Sequence, residues 1–144
     1  MPCGEPAISR RFVVDTSVVV KWYLPEGAEP RQREAASALD LLVTGQIELD
    51  APTLVHYELG NVLARRLGRS EESYANFLAL PVTIHALQSA VLLRAMTLAK
   101  ERRILFYDAS YLALAEALDV QLLTDDRKLI TAGRGRAKPI GEFN

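Results

Sequence analysis

With 144 residues, 49% hydrophobic and 24% charged, the chain has the composition of one globular domain, not of a disordered or fibrous protein. The formal net charge of -1 excludes a generally basic nucleic-acid coat but leaves room for a local basic rim. A single cysteine, Cys3, excludes an intrachain disulfide or a thiolate metal cluster and suits a reducing cytoplasm.

The first ten residues, MPCGEPAISR, carry two prolines and a glycine and read as a lead-in that is a candidate for disorder, leaving residues 11–144 as a single domain. Asp15 and Lys21 break the apolar stretch behind Arg10 and Arg11, so it makes a poor signal peptide, and no run reaches the roughly 18 apolar residues of a membrane span. RFVVD (11–15) predicts a short buried strand. A helix over 17–23 follows, then a loop punctuated by Pro25 and Gly27. The spacing of Ala35, Ala36, Leu39, Leu42 and Val43 predicts a helix over 29–44, with Gly45 as its stop. QIELD (46–50) reads as a second strand, and Pro52 and Thr53 open a helix over 53–67 that Gly68 ends. Ser70 and the glutamates after it signal a helix over 71–79, stopped by Pro81. VTIHAL (82–87) predicts a strand, 87–102 a long helix with basic residues at its end, and 106–118 another helix. A strand at 120–124, a short helix at 126–132 and an edge strand at 139–141 complete the chain. Such alternation predicts a mainly parallel sheet of four or five strands, covered by helices on both faces.

In an open α/β sheet, ligands bind beyond the carboxyl ends of the strands. Asp15 ends the first strand there, and Asp125 and Asp126 follow the fourth. Glu58 falls in the column Leu54–Glu58–Val62, on the same half of its helix as Val55, Leu59 and Leu63. Asp108 stands near a helix start, where an aspartate is ordinary because it complements the dipole. Each has a bland explanation alone. Converging on one dry rim they would repel one another and take up protons unless a cation were present. An oxygen-only set without cysteine or histidine suits Mg²⁺, or Mn²⁺, as one ion or two. Thr16, Ser17, Thr124 and Asn61 are candidates to orient the carboxylates, although Ser17 also suits a helix cap and Thr124 a strand.

Together, FVVDTSVVVKW, PTLVHYELGNVLARRL and FYDASYLALAEALDVQLLTDDRKL resemble the PIN-domain nucleases, and among them the single-domain VapC toxins of bacterial toxin–antitoxin pairs. Each block alone is weak. The ordered set D-T-S, E-x-x-N-V-L, Y-D-A-x-Y-L-A-L-A and T-x-D-x-x-L carries the likeness from about residue 11 to 140. The resemblance implies a PIN-like three-layer sandwich and a metal-dependent endoribonuclease in which a cation activates the attacking water. It places the family's acidic residues on Asp15, Glu58, Asp108 and Asp126, and its polar positions on Ser17 and Thr124, with Thr16 beside them. Asp15, Glu58 and Asp108 are then the first choice as ligands, with Asp126 assisting a second ion or orienting water. Two departures stand out. Asp125 is extra to the pattern, which leaves the choice between it and Asp126 open, and Leu105 and Phe106 replace the small capping residue common before Tyr107.

Lys21, Arg65, Arg66, Arg127 and Lys128 are candidate RNA contacts near the acidic positions, and Trp22 and Tyr23 could stack on bases or belong to the core. His56 and His85 receive no role. The resemblance also implies a homodimer and a VapB-type antitoxin that blocks the site. A receiver-type domain would want its paired acids after the first strand, and a haloacid-dehalogenase-type phosphatase an aspartate at position 17, where this chain has Ser17. The remaining alternative is a non-catalytic PIN-like module that binds RNA or a protein.

Overall fold

Phe12, Val13 and Val14 supply the apolar stretch of the central strand β1 (Arg10–Val14), and the rest of the sheet assembles around it. The computed structural model describes residues 10–143. The expected lead-in therefore lies outside the described residues except for Arg10, which already begins β1. β2 (Ile47–Pro52), β3 (Val82–His85), β4 (Gln121–Thr124) and β5 (Ala137–Pro139) join β1 in the order β3-β2-β1-β4-β5, every neighbouring pair parallel. The chain works outward from β1 to one edge and then returns to β1's other side. The strand order therefore reverses between β1 and β4, the position where open sheets of this kind form their ligand crevice.

Helices fill the crossovers: α1 (Thr16–Val19), α2 (Gln32–Val43), α3 (Leu54–Arg66), α4 (Ser70–Ala79), α5 (Ser89–Arg102), α6 (Phe106–Leu118) and α7 (Arg127–Gly133). Every residue from Ala109 to Ala115 in α6 is buried, because this helix lies under the sheet while α5 packs along its outer side. Val13, Leu49, Leu122 and Leu123 are fully buried strand residues of the same core, in a sheet covered on both faces. A helix apolar all round is stable only in such a place. Among the described residues no helix is long and apolar enough to cross a membrane.

Several boundaries differ from expectation, each for a local reason. The helix expected over 17–23 divides into α1 and a 3-10 turn over Val20–Trp22. α2 starts three residues late: Pro30 keeps Glu29 out of helical geometry, and Arg31 takes a left-handed φ of 58°. Gly45 does end that helix, with φ 77°. Pro52 opens no helix; it closes β2, and the next residue's N–H, that of Thr53, bonds to the His85 carbonyl instead. β3 is two residues shorter than expected, and the edge strand lies at 137–139 instead of 139–141, ending in a 3-10 turn over Ile140–Glu142. Ser70 is the first residue of α4 and does not cap it.

Asp50, in the middle of β2, is 1% exposed and was not singled out by sequence. Arg11 donates to both of its oxygens, at 2.9 and 2.7 Å, and His85 Nε2 lies 2.6 Å from Oδ2. Burial pushes the carboxyl's pKa up, but the hydrogen bonds and charges of Arg11 and His85 outweigh it and hold the group below its ordinary range. His85 thus has a structural task that its apolar neighbours in the sequence concealed.

Candidate active site

Asp15 leaves the end of β1 and caps α1, where it is 5% exposed. Thr124 Oγ1, from the end of β4, donates to Asp15 Oδ2 at 2.6 Å, and Ser17 Oγ donates to the same oxygen at 2.9 Å. The other oxygen, Oδ1, receives only a long 3.4 Å bond from the Ser17 N–H. Ser17 Oγ in turn accepts from the Asp125 N–H, and Thr124 Oγ1 from the Asp126 N–H. Two hydroxyls thereby lace the turn after β4 to the turn after β1. Burial raises the Asp15 pKa, opposed by the Thr124 and Ser17 hydrogen bonds and helped by the charge of Glu58.

Glu58 reaches this rim from α3. Its Oε1 accepts from Thr16 Oγ1 at 2.9 Å and from Tyr111 Oη at 2.7 Å, and those two hydroxyls lie 2.6 Å apart. Tyr111 was missed by the sequence reading. The available signal was its position three residues after Asp108, on the same face of the helix. Its phenol is fully buried, and burial followed by the charges of Glu58 and Asp15 holds the proton on it far above the normal range. Tyr111 is therefore a donor to Glu58 and not a base.

Asp108 sits in the first turn of α6, whose start at Phe106 has no side-chain cap. The helix dipole there favours a charged carboxylate by about 0.3–1 kcal/mol, less than one unit of pKa. Burial, and then the charges of Asp15, Asp126 and Glu58, win by a wide margin and raise Asp108 to about 6. Asp126 caps α7 through Oδ1, which accepts from the Lys128 and Leu129 N–H groups at 2.9 and 3.4 Å. The structure thus brings Asp15, Glu58, Asp108 and Asp126 within one another's fields, with Thr16, Ser17 and Thr124 as their donors.

Other expected residues lie elsewhere. Asn61 is exposed on α3 and donates to none of the carboxylates, because one helical turn carries it past the rim and out to solvent. Lys21 is 4% exposed, its ammonium held by Asp125, Glu29 and the Pro30 carbonyl, so it is a structural cation unavailable to a nucleic acid. Arg65, Arg127 and Lys128 remain exposed, and Arg66 pairs with Glu29. Trp22 bonds the Ala35 carbonyl and packs on the core, with Tyr23 beside it. Asp125 turns away from the site to Lys21 and to the guanidinium of Arg31, which grips both of its oxygens. Asp125→Asn is accordingly expected to cost about 2–3 kcal/mol of stability by leaving a buried ammonium short of charge. Chemical denaturation measures this; an unchanged midpoint would show that Glu29 alone satisfies Lys21.

By their chemistry alone, oxygen donors of this kind are the ones a hard divalent cation would take. Among the described residues, Asp15 Oδ1 receives only one long bond, Glu58 Oε2 and Asp126 Oδ2 accept no side-chain or backbone hydrogen bond, and Asp108 accepts none at either oxygen. Each carboxylate thus has an oxygen that accepts at most one long hydrogen bond among the described residues. Among the described residues no three acidic, histidine or cysteine side chains stand, as placed, where they could hold a metal ion together. An ion here would rely on bridging waters or side-chain rotation, and Mg²⁺ commonly retains several waters.

The family model described as PIN domain matches residues 12–135, almost the whole described chain. The chain belongs to the PIN-domain family. Within that family it is similar to ribonuclease VapC3 of Pyrobaculum aerophilum, 33% identical over 130 residues that cover 83% of this chain and 92% of that protein. The solved structure of PAE2754 from the same organism superposes with a TM-score of 0.69 at 26% identity, covering 94% of this chain and 93% of that one. A toxin–antitoxin complex from Klebsiella pneumoniae shares the fold, with a TM-score of 0.69 at 18% identity over 90% of this chain and 97% of that chain. The fold is thus that of a PIN domain, and the curated relative it is similar to is a VapC protein.

Proposed function

We propose that this PIN-domain protein is a divalent-metal-dependent endoribonuclease, the toxin of a toxin–antitoxin pair. The observation that carries the reading is the set of four carboxylates at the β1/β4 switch point, each with an oxygen that accepts at most one long hydrogen bond among the described residues. The name of the VapC3 relative, a ribonuclease, supports the same chemistry. When bound, Mg²⁺ or Mn²⁺ supplies positive charge to the phosphoryl oxygens and makes water more acidic. Asp15, Glu58 and Asp108 would hold the ion, directly or through water, and Asp126 would assist or orient the attacking water through its open Oδ2. Ser17 and Thr124 hold Asp15 in its rotamer, while Thr16 and Tyr111 do the same for Glu58. These hydrogen bonds limit how far Asp15 and Glu58 would have to turn to take up an ion.

A homodimer and a VapB-type antitoxin belong to the same proposal. The fold shared with a toxin–antitoxin complex supports the second, and the exposed Leu92, Leu93 and Met96 on α5 give a dimer an apolar surface to cover. Incubation of the antitoxin-free protein with a mixed cellular RNA pool tests the activity. Discrete fragments are expected with Mg²⁺ or Mn²⁺ and none with EDTA. Well-folded protein that binds RNA without cutting it under any of these conditions would favour the non-catalytic module.

A further inference from the structure

A cleft of about 590 Å³ opens between the C-terminal end of α5 and helix α7. Five of its lining side chains are cationic, namely Arg102, Arg103, Arg127, Lys128 and Arg134, while Glu101 is the one acid among its lining residues. Five of the chain's 17 lysines and arginines therefore surround one concavity in a protein of net charge -1. Arg102 Nη1 donates to the Ala132 carbonyl at 2.7 Å and ties the two walls together. The other four make no ion pair with any acid among the described residues.

Arg103 and Arg134 occupy unusual positions. Each ends a helix in the left-handed region, with φ of 55° and 48°, where glycine or asparagine is the unstrained choice. Compensation of the helix dipole does not call for a cation there in α5, whose last turn already holds Lys100 and Arg102. Two strained arginines flank the same cleft. Lys128 connects that cleft to the acidic rim: it lines the cleft, and its backbone N–H donates to Asp126 Oδ1 at 2.9 Å.

We infer that the cleft between α5 and α7 binds the phosphate backbone of single-stranded RNA and leads it past Lys128 to the carboxylates. This rests on the ribonuclease reading and adds to it the path of the substrate. Unpaired, flexible cations around an open cleft suit a chain of phosphates read without base specificity. An acidic protein segment would satisfy the same charges, but continuity with the rim through Lys128 favours the nucleic acid.

Glycine in place of the two strained arginines removes charge while relieving the backbone, so Arg103→Gly/Arg134→Gly is expected to fold at least as well as wild type. Binding of a fluorescein-labelled single-stranded RNA of mixed sequence is measured by anisotropy across a salt series, in an Asp15→Asn background that leaves the RNA whole. The double variant should bind about tenfold more weakly and lose roughly one to two from the slope of log K against log salt. Arg33→Gly, an exposed charge away from the cleft, is the control and should change neither quantity. Unaltered affinity and slope in the double variant, with RNA bound normally by its parent, would overturn the cleft path alone. Loss of poly-glutamate binding with RNA binding intact would overturn it in favour of an acidic protein partner. An Asp15→Asn parent and a wild type that both fail to bind RNA would remove the cleft path and the ribonuclease reading together.

Discussion

Asp15→Asn is expected to lower RNA cleavage by roughly two orders of magnitude or more while the protein remains folded. The substitution removes the one charge held by both Ser17 and Thr124, at the centre of the β1/β4 crevice. Its effect on the fold should be small. An asparagine oxygen can replace Oδ2 and accept from both hydroxyls, and its amide then takes the place of Oδ1, which meets only the 3.4 Å contact from Ser17 N. In EDTA the variant should melt at or above the wild-type temperature, because a buried charge near Glu58 has been removed. Circular dichroism and gel-based cleavage of the RNA pool measure the two halves. Equal cutting by wild type and variant would sink the proposed mechanism, and a clear loss of stability would make Asp15 a structural residue first.

The second large effect concerns pH. Asp108 is raised from 3.8 to about 6, and Asp15 is shifted in the same direction. Between these values the unfolded chain loses its proton while the folded carboxyl keeps it, so the unfolded state binds fewer protons and stability falls as pH rises. Below the unfolded pKa the penalty is absent; above about 6 it is complete. For Asp108 the penalty is at most about 3 kcal/mol, and roughly half that for a group only half-buried. Metal-free protein should therefore lose several degrees of Tm between about pH 4.5 and 7.5 from this group, a window in which the opposite contribution of Asp50, held below its ordinary 3.8, is already nearly complete. Mg²⁺ or Mn²⁺ should raise Tm more at the higher pH, where the carboxylates are charged, and Asp108→Asn should flatten both trends. A Tm that ignores the cation at every pH would argue against a metal site at the rim.

The alternation of short β-branched runs with helical spacing made the parallel sheet readable from sequence. So did the convergence of the acids, since a strand that ends in Asp15 and one followed by Asp126 can share a rim only in such a sheet. Glu58 was legible as a misfit, an acid in an apolar column. Tyr111 was not, because a tyrosine among alanines and leucines looks like core until the hydroxyl's partners are known. Lys21 misled for the opposite reason. Proximity in sequence to Asp15 suggested a substrate contact, whereas Pro30 and Arg31 bend the chain back so that Glu29 and Asp125 enclose its ammonium. Asp125 and Asp126 could be told apart only once that enclosure was seen. Arg103 and Arg134 gave no signal either, for nothing in a residue's identity discloses a left-handed φ.

The bond from Thr124 to Asp15 joins residues 109 positions apart, and β1 lies between β2 and β4 in the sheet. A ribosome adding about 5–20 residues per second makes β1 roughly 5–20 s before it makes the strand that completes its flank. Throughout that interval Asp15 lacks the Thr124 hydroxyl, Asp108 and Asp126 are late arrivals, and the rim does not exist. Whatever chemistry the four carboxylates perform is therefore withheld from the messenger RNA still being translated until Asp126 has been added and β4 has paired with β1.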